Sequence, residues 1–262
     1  MPILPELDKA DPNSLSPSRI NSYLLCPLKY KFTYVDELPR PWKSAALAFG
    51  SAVHSALEAW QLSRLSGEEM TPQAVEETFL ADWEAEKSGD ILFKDDEEPE
   101  QLRDRGCILI RGAMDLLRPD LPEAAELPFT VDLVDGDVSA SPVTLRGIFD
   151  LLLPGDRLIE VKTASRRFDR DTLERHLQLT AYAYAYEKLM GRPPHLEVLT
   201  LLKTKVPKVE LVGTSRTPEA LHWFVALARE AHAAIQSKRF FPCPSWQCSD
   251  CEYAEPCRQW RG

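Results

Sequence analysis

Apolar residues recur at two different periods along this chain, and the change between them divides it. From Ser16 to Leu117 the spacing is that of helices. Ser16-Pro17 has the form of an N-cap followed by proline at the first helical position, and Ile20, Tyr23 and Leu24 then share one side of a short helix. Cys26-Pro27 interrupts it, and Leu28 to Tyr34 resumes as helix. Ala45 to Leu65 predicts a longer helix with Val53, Leu57 and Trp60 at helical spacing. Thr71-Pro72 opens another through Val75, Phe79 and Trp83. Asp90 to Glu100 reads as a polar acidic loop, and Leu102 to Leu117 as a further helix.

Beyond that point the period shortens to two. Phe129 to Val134 alternates apolar and polar residues, as a half-buried strand does. Val143 to Leu153 is a second strand, apolar and β-branched at its start, ending at the turn signal Pro154-Gly155. Arg157 to Lys162 follows at once, so the two predict a hairpin. Asp171 to Met190 predicts one amphipathic helix, ended by Gly191 and Pro193. His195 to Leu202 and Val206 to Val212 predict two more strands, and Thr217-Pro218 opens a last helix to about Lys238. Helices, three strands, helix, two strands, helix is the order of an α/β or α+β core around one mixed sheet. No internal repeat or low-complexity tract breaks it.

Length and composition leave this picture standing. The chain has 262 residues, 44% of them apolar, which suits one large domain or a core with a helical insertion. No apolar run approaches the roughly 20 residues that cross a bilayer, so no membrane partner is expected. The start, Met1 to Leu15, is polar, acidic and proline-bearing, unlike a signal peptide, and the expected location is cytoplasmic. Charge changes the picture more. The net of −10 argues against a phosphate-rich partner, but residues 65–127 alone hold 18 acidic against 6 basic residues. That acidity centres on Asp95-Asp96-Glu97-Glu98, and the remainder of the chain is close to neutral. Small basic groups at Lys29 and Lys31, Arg166 to Arg170 and Lys203 to Lys208 permit nucleic-acid binding without demanding it.

The candidate chemistry lies in the hairpin. Gly147-Ile148-Phe149-Asp150 is followed by Leu158-Ile159-Glu160-Val161-Lys162. Glu160 and Lys162 are two apart on a strand and point to one face, with Val161 turned into the core. Asp150 can lie beside them across the hairpin. Two carboxylates and a backbone carbonyl suit a hard divalent ion that keeps several waters, and a lysine beside it can act on an attacking water. An E-x-K triplet by itself is more often an exposed ion pair at a strand end. The flanking Gly147 and Asp150 change that balance.

At this point the sequence resembles a family. The G-x-x-D and E-x-K pattern is similar to that of the PD-(D/E)xK nucleases, which have a restriction-endonuclease-like core. Other stretches resemble the RecB-like branch, which includes CRISPR-associated exonucleases. These are Ser16-Pro17-Ser18 with Tyr23, Cys26-Pro27 and Tyr30; Gly50-Ser51-Ala52-Val53-His54 followed by Leu57-Glu58; and Gln178 with Tyr182. They run in the family's order. The resemblance implies His54, Asp150, Glu160 and the Val161 carbonyl as ligands of Mg2+ or Mn2+. It implies Lys162 as the residue acting on water. Gln178 and Tyr182, four apart on one helical face, would orient the lysine or the DNA. Glu58, one turn beyond His54, is a weaker candidate for the same site.

Six cysteines in a cytoplasmic chain do not read as a disulfide frame. Cys248, Cys251 and Cys257 lie close together, and their flanks, Phe241-Pro242, Tyr253 and Pro256, resemble the C-terminal motif of the iron–sulfur nucleases of that branch. The resemblance supplies Cys26 as a fourth ligand. Residues 241–262 would then be a cluster-binding segment completed by Cys26. Four thiolates suit a 4Fe–4S cluster or zinc, and spacing alone separates neither; the resemblance favours iron–sulfur, as a structural clamp between chain ends. Cys243 is a rival ligand. Cys107 reads as a small hydrophobe in a helix.

The expectation is one nuclease domain, with 65–127 an acidic helical insertion, that hydrolyses DNA at ends or in single strands. Such an enzyme would serve repair, recombination or CRISPR-type processing. A non-catalytic DNA-end-binding or adaptor subunit is the alternative. No G-x-x-x-x-G-K-[ST] loop is present, so unwinding would need a helicase partner.

Overall fold

Proline or a capping side chain starts most of the helices. The computed structural model describes residues 13–87, 89–94, 97–134 and 143–262; Met1 to Pro12 and the Asp95-Asp96 pair lie outside the described residues. The chain enters as β1 (Ser14–Leu15) and α1 (Pro17–Leu25), capped by Ser16 Oγ accepting from the Arg19 N–H. In α2 (Pro27–Tyr34) the cap is the Cys26 sulfur, which accepts from the Lys29 N–H at 3.5 Å. Then follow β2 (Lys43–Ser44), α3 (Ala45–Leu65), α4 (Pro72–Lys87), β3 (Ile91–Leu92) and α5 (Pro99–Leu117). The expected loop Asp90 to Glu100 thus holds a short strand, paired in parallel with Lys43-Ser44, and the first turn of a helix.

The second half supplies the sheet: β4 (Ala124–Asp132), β5 (Thr144–Leu153), β6 (Arg157–Ala164), β7 (His195–Leu202) and β8 (Lys208–Thr214). β4 begins five residues before the expected Phe129, because Ala124 to Leu127 continue its ladder on β5. β8 starts and ends two residues later than expected. The helix expected over Asp171 to Met190 is two, α6 (Arg170–Glu174) and α7 (Leu177–Met190). The Arg216 guanidinium explains the break. It donates to the Leu173 carbonyl at 2.6 Å, which a continuous helix would bond to the Leu177 N–H, and also to the Thr180 hydroxyl at 2.7 Å and the His176 carbonyl at 3.4 Å. Gly191 closes α7 with φ +70°, the left-handed cap that glycine takes without strain. α8 (Pro218–Gln236), a 3-10 turn (Trp246–Asp250) and α9 (Ala254–Arg258) complete the chain.

The sheet is mixed. β4 runs antiparallel to β5, β5 to β6, β6 parallel to β7, and β7 antiparallel to β8. Helices cover both faces. On one, Phe49, Trp60, Phe79, Trp83 and Ile110 from α3, α4 and α5 pack on Leu151, Ile159 and Leu199. On the other, Tyr182 and Tyr186 of α7 and Phe224 of α8 pack on Phe149, Leu158 and Leu196. The helices of the acidic 65–127 stretch therefore belong to the first core through their apolar faces. No helix among the described residues is long and apolar enough to cross a membrane.

Candidate active site

The site forms where the sheet forks. One edge of β5 is occupied by β4 along its length. Its remaining pairings are with β1 at Thr144 and Leu145, and with β6 from Leu151 to Leu153. Between those two, at residues 146–150, neither strand pairs with it. β6 leaves β5 at that level, and Asp150 spans the opening: its Oδ2 accepts from the Val161 N–H at 2.8 Å. A carboxylate thus takes the place of a ladder carbonyl, which fixes Asp150 against the strand that carries the other two residues.

The pleat shifts at the same place. Phe149 and Leu152 both face the α7–α8 core, while Leu151 and Leu153 face the α3–α5 core, so alternation slips at Asp150. In β4 it slips at Glu126, which sits between the pairs Ala125↔Leu151 and Leu127↔Phe149 and has φ +47°. A left-handed backbone at a glutamate is costly. Here it brings the Glu126 carboxylate to Asp150.

On β6, Glu160 and Lys162 share the face turned to α7, and Val161 is buried in the opposite core. Lys162 Nζ is ion-paired to Glu160 Oε1 and donates to Gln178 Oε1 at 2.7 Å. Gln178 Nε2 donates to the Tyr182 hydroxyl at 3.0 Å. Tyr182, Gln178, Lys162 and Glu160 are therefore one chain of contacts from helix to strand. Glu160 is only 2% exposed, and its Oε2 has no hydrogen-bond partner. From the other core His54 on α3 reaches in, with Nε2 2.9 Å from the Val161 carbonyl and Nδ1 4.0 Å from Asp150 Oδ2.

Two glycines of the sequence motifs have packing reasons. A Cβ on Gly147 would lie 2.5 Å from Phe129 Cζ, and that ring stacks on Phe149 at 4.4 Å and meets Tyr182 edge-on. A Cβ on Gly50 would lie 3.3 Å from Thr163 Oγ1, so the glycine lets α3 approach β6 and brings His54 within reach.

The electrostatics follow from burial of several carboxylates around one lysine. Burial pushes Asp150 up to about 6, against the Val161 N–H and Lys162, which favour its charge. Burial and then Asp150 push Glu160 up to about 7. Glu126 is pushed up to about 8 by burial, Asp150, Glu58 and Glu160. Burial lowers His54, which leaves a neutral ring able to donate a lone pair. Burial and the nearby carboxylates raise Tyr182, so its hydroxyl stays protonated. Glu58 lines a small cavity with His54, Gln61, Glu126 and Asp150.

Among the described residues, the one group of three ligand atoms within 4.8 Å of one another is His54, Glu126 and Asp150. This is a possible site for a metal ion. Its imidazole and carboxylate donors suit a hard divalent cation, and the orphaned oxygen of Glu160 is a buried acceptor beside it. The fit is with the expected ion. Glu126 had not been expected. Its one signal in the sequence is an acid interrupting the apolar run that leads into β4.

The cysteines lie apart from this site. Cys26, Cys251 and Cys257 surround Leu28, Phe32 and Tyr253. Burial raises the Cys257 thiol, and Cys26, Cys251 and Cys248 add to it, so the four are neighbours. No three of their sulfurs close to within 4.8 Å. Cys243 is exposed and Cys107 half-buried in α5.

A family model described as the PD-(D/E)XK nuclease superfamily matches residues 14–258. Among solved structures, a candidate exonuclease from Eubacterium rectale aligns at 14% identity over 97% of this chain and 91% of its own, with a TM-score of 0.64. The protein SSO0001 aligns at 14% identity over 94% and 96%, with a TM-score of 0.40. No curated protein matches the chain.

Proposed function

The chain belongs to the PD-(D/E)XK nuclease superfamily, and from that premise we propose that it is a Mg2+- or Mn2+-dependent DNA nuclease acting as an exonuclease on ends or single strands. The observation that carries the reading is the grouping of His54, Asp150, Glu160 and Lys162 at the sheet fork, with a buried oxygen of Glu160 unpartnered.

His54, Asp150, Glu160 and the Val161 carbonyl would hold the ion, with Glu126 joining them. When bound, the ion supplies Lewis acidity to a phosphate oxygen and to the attacking water. The protein does the rest. Asp150 is kept on the strand by the Val161 N–H. Lys162 is a donor with acceptors at Glu160 and Gln178, so its ammonium is aimed rather than mobile. It orients the water and offsets the charge that grows on the phosphate as one P–O bond forms and another breaks. Gln178 and Tyr182 fix the lysine from α7.

DNA labelled at either end, incubated with and without magnesium, tests this reading. We expect metal-dependent shortening from an end by the wild type. Asp150→Ala and Lys162→Ala cutting as well as wild type would refute the assignment.

We further propose that Cys26, Cys248, Cys251 and Cys257 hold a 4Fe–4S cluster, with zinc as the alternative. Support comes from their gathering and from backbone N–H groups aimed at sulfur: Lys29 at Cys26, Ser245 at Cys248 and Tyr253 at Cys251. Such bonds tune thiolate ligands. Iron and sulfide analysis after anaerobic purification decides; one zinc per chain without sulfide rejects iron. In this reading 1–262 is one nuclease domain, 65–127 an acidic helical insertion and 241–262 the cluster-binding segment. It would trim DNA in repair or CRISPR-type processing, beside a helicase.

A further inference from the structure

Lys162 and Gln178 lie at one end of a groove of about 730 Å³ between α1 and the α6–α7 break, with Asn21 and Ser22 on one wall and Arg175 on the other. Leu25, Lys29 and Gln247 line this groove and also a second hollow of about 920 Å³, so the two adjoin. The second hollow has a different character. It holds Trp42, Phe93 and Trp246 among Lys29, Arg40, Lys43 and Lys94.

Trp246 is 82% exposed at the start of the 3-10 turn, an unusual state for the largest apolar side chain. Leu47 and Leu92, 48% and 44% exposed, lie in the same hollow. The cations are not all uncommitted: Lys29 pairs with Glu252 and Lys43 with Glu86, and Glu97 and Asp250 line the hollow too. Arg40 and Lys94 are exposed along it. Aromatic side chains set among cations, in a hollow adjoining the groove that holds Lys162 and Gln178, match one ligand chemistry. Unpaired bases stack on aromatics while the backbone follows the charge. Inside a duplex the bases are already stacked and paired, and only the terminal pair offers a face to a tryptophan.

We propose that Trp246 is a base-stacking platform for a single DNA strand running along these two adjoining hollows, and that it makes the enzyme selective for single strands long enough to reach from Lys162 to Trp246. The proposal rests on the nuclease reading. It adds the substrate form and a specificity-determining residue outside the catalytic group.

Two measurements on the full chain separate the proposal from its premise. The first is anisotropy of fluorescein-labelled oligothymidylates of increasing length, and of a blunt duplex, in EDTA. The second is manganese-dependent hydrolysis of thymidine 5′-monophosphate p-nitrophenyl ester, too small to reach Trp246. Trp246→Ala is expected to weaken binding of long single strands about tenfold and to leave dinucleotide binding and ester hydrolysis unchanged. Trp246→Phe should retain most of the affinity. Arg40→Ala with Lys94→Ala should flatten the salt dependence of binding. Unchanged single-strand affinity in Trp246→Ala, or wild-type affinity for blunt duplex equal to that for single strands, overturns the proposal. Loss of ester hydrolysis in Trp246→Ala also overturns it, since the residue would then support the catalytic site instead. An inert wild type in the ester assay refutes the nuclease premise alone, because the binding arm still reads the groove.

Discussion

Asp150, Glu126 and Glu160 crowd one another, with Lys162 beside Glu160 and Asp150, so each substitution among them changes charge as well as contact. Lys162→Ala and Asp150→Ala should lower the cleavage rate by at least about 10²- to 10³-fold, the scale for removing one preorganised charge-stabilising group. Melting temperature, measured alongside, should show that folding is kept. Glu126 allows a sharper test. Its folded pKa is raised to about 8, so the native state binds more protons than the unfolded chain between its ordinary value and 8, and stability falls as pH rises through that window. His54 is shifted the other way and acts below its ordinary value of 6.5. In EDTA, then, the wild type should melt lower at pH 8 than at pH 6.5, and Glu126→Gln should flatten the slope. Magnesium should stabilise wild type more at pH 8 than at 6.5, because protons compete for its ligands. Equal slopes in the two proteins would remove Glu126 from the site. The trio Asp150, Glu160 and Lys162 was legible because a hairpin puts its members near one another in sequence. Glu126 was not, because a single acid within an apolar run does not announce the left-handed backbone that turns it toward Asp150.

Helix and strand boundaries were legible wherever a local cap and the apolar period agreed, as from Ala45 to Leu65. They were not where a distant residue intervened. The α6–α7 break is one such place, since Arg216 lies far along the chain from the carbonyls it takes. Arg216→Met would take a charged donor from those carbonyls, leaving Leu173 with the His176 N–H at 3.3 Å and His176 with the Thr180 N–H at 3.2 Å, and should cost about 2–3 kcal/mol, a melting shift of roughly 5–10 °C. Gln178 stands in the first turn after the break, so the cleavage rate should fall more than the loss of folded protein accounts for. Calorimetry and cleavage rates on one preparation check both. Gly147→Ala is the contrasting case. Its Cβ would strike the Phe129 ring, at about 1–3 kcal/mol for overpacking. Any rate change should follow Phe129 and Tyr182 rather than metal affinity, which titration with magnesium can separate.

At the scale of the molecule, sequence-distant segments meet beside the groove. Lys29 bonds Glu252 at 2.8 Å across 223 residues, the Tyr23 hydroxyl donates to the Arg239 carbonyl, and the Leu28 N–H to the Phe241 carbonyl. Phe32 packs on Tyr253 at 5.6 Å. None of these contacts involves a cysteine side chain, so on the proposed cluster reading Cys26→Ala should lower the melting temperature and abolish iron content while leaving a folded chain, read by circular dichroism and iron analysis. The net acidity that argued against DNA was legible as a number but not as a surface. Much of it sits on α4 and α5, over the core remote from α7, where Glu76 meets Arg111 and Glu69 meets Arg118. The same joining of distant segments orders events during synthesis. At about 5–20 residues per second, the ribosome adds Glu252 roughly 10–45 s after Lys29. Every carboxylate of the site, and its lysine, emerges before the 3-10 turn that carries Trp246. A half-made chain therefore holds the candidate reactive groups without the Trp246 wall of the adjoining hollow. On the proposed strand path, the finishing of the groove, rather than the appearance of the catalytic residues, would set the moment at which a newborn molecule becomes able to hold a long strand.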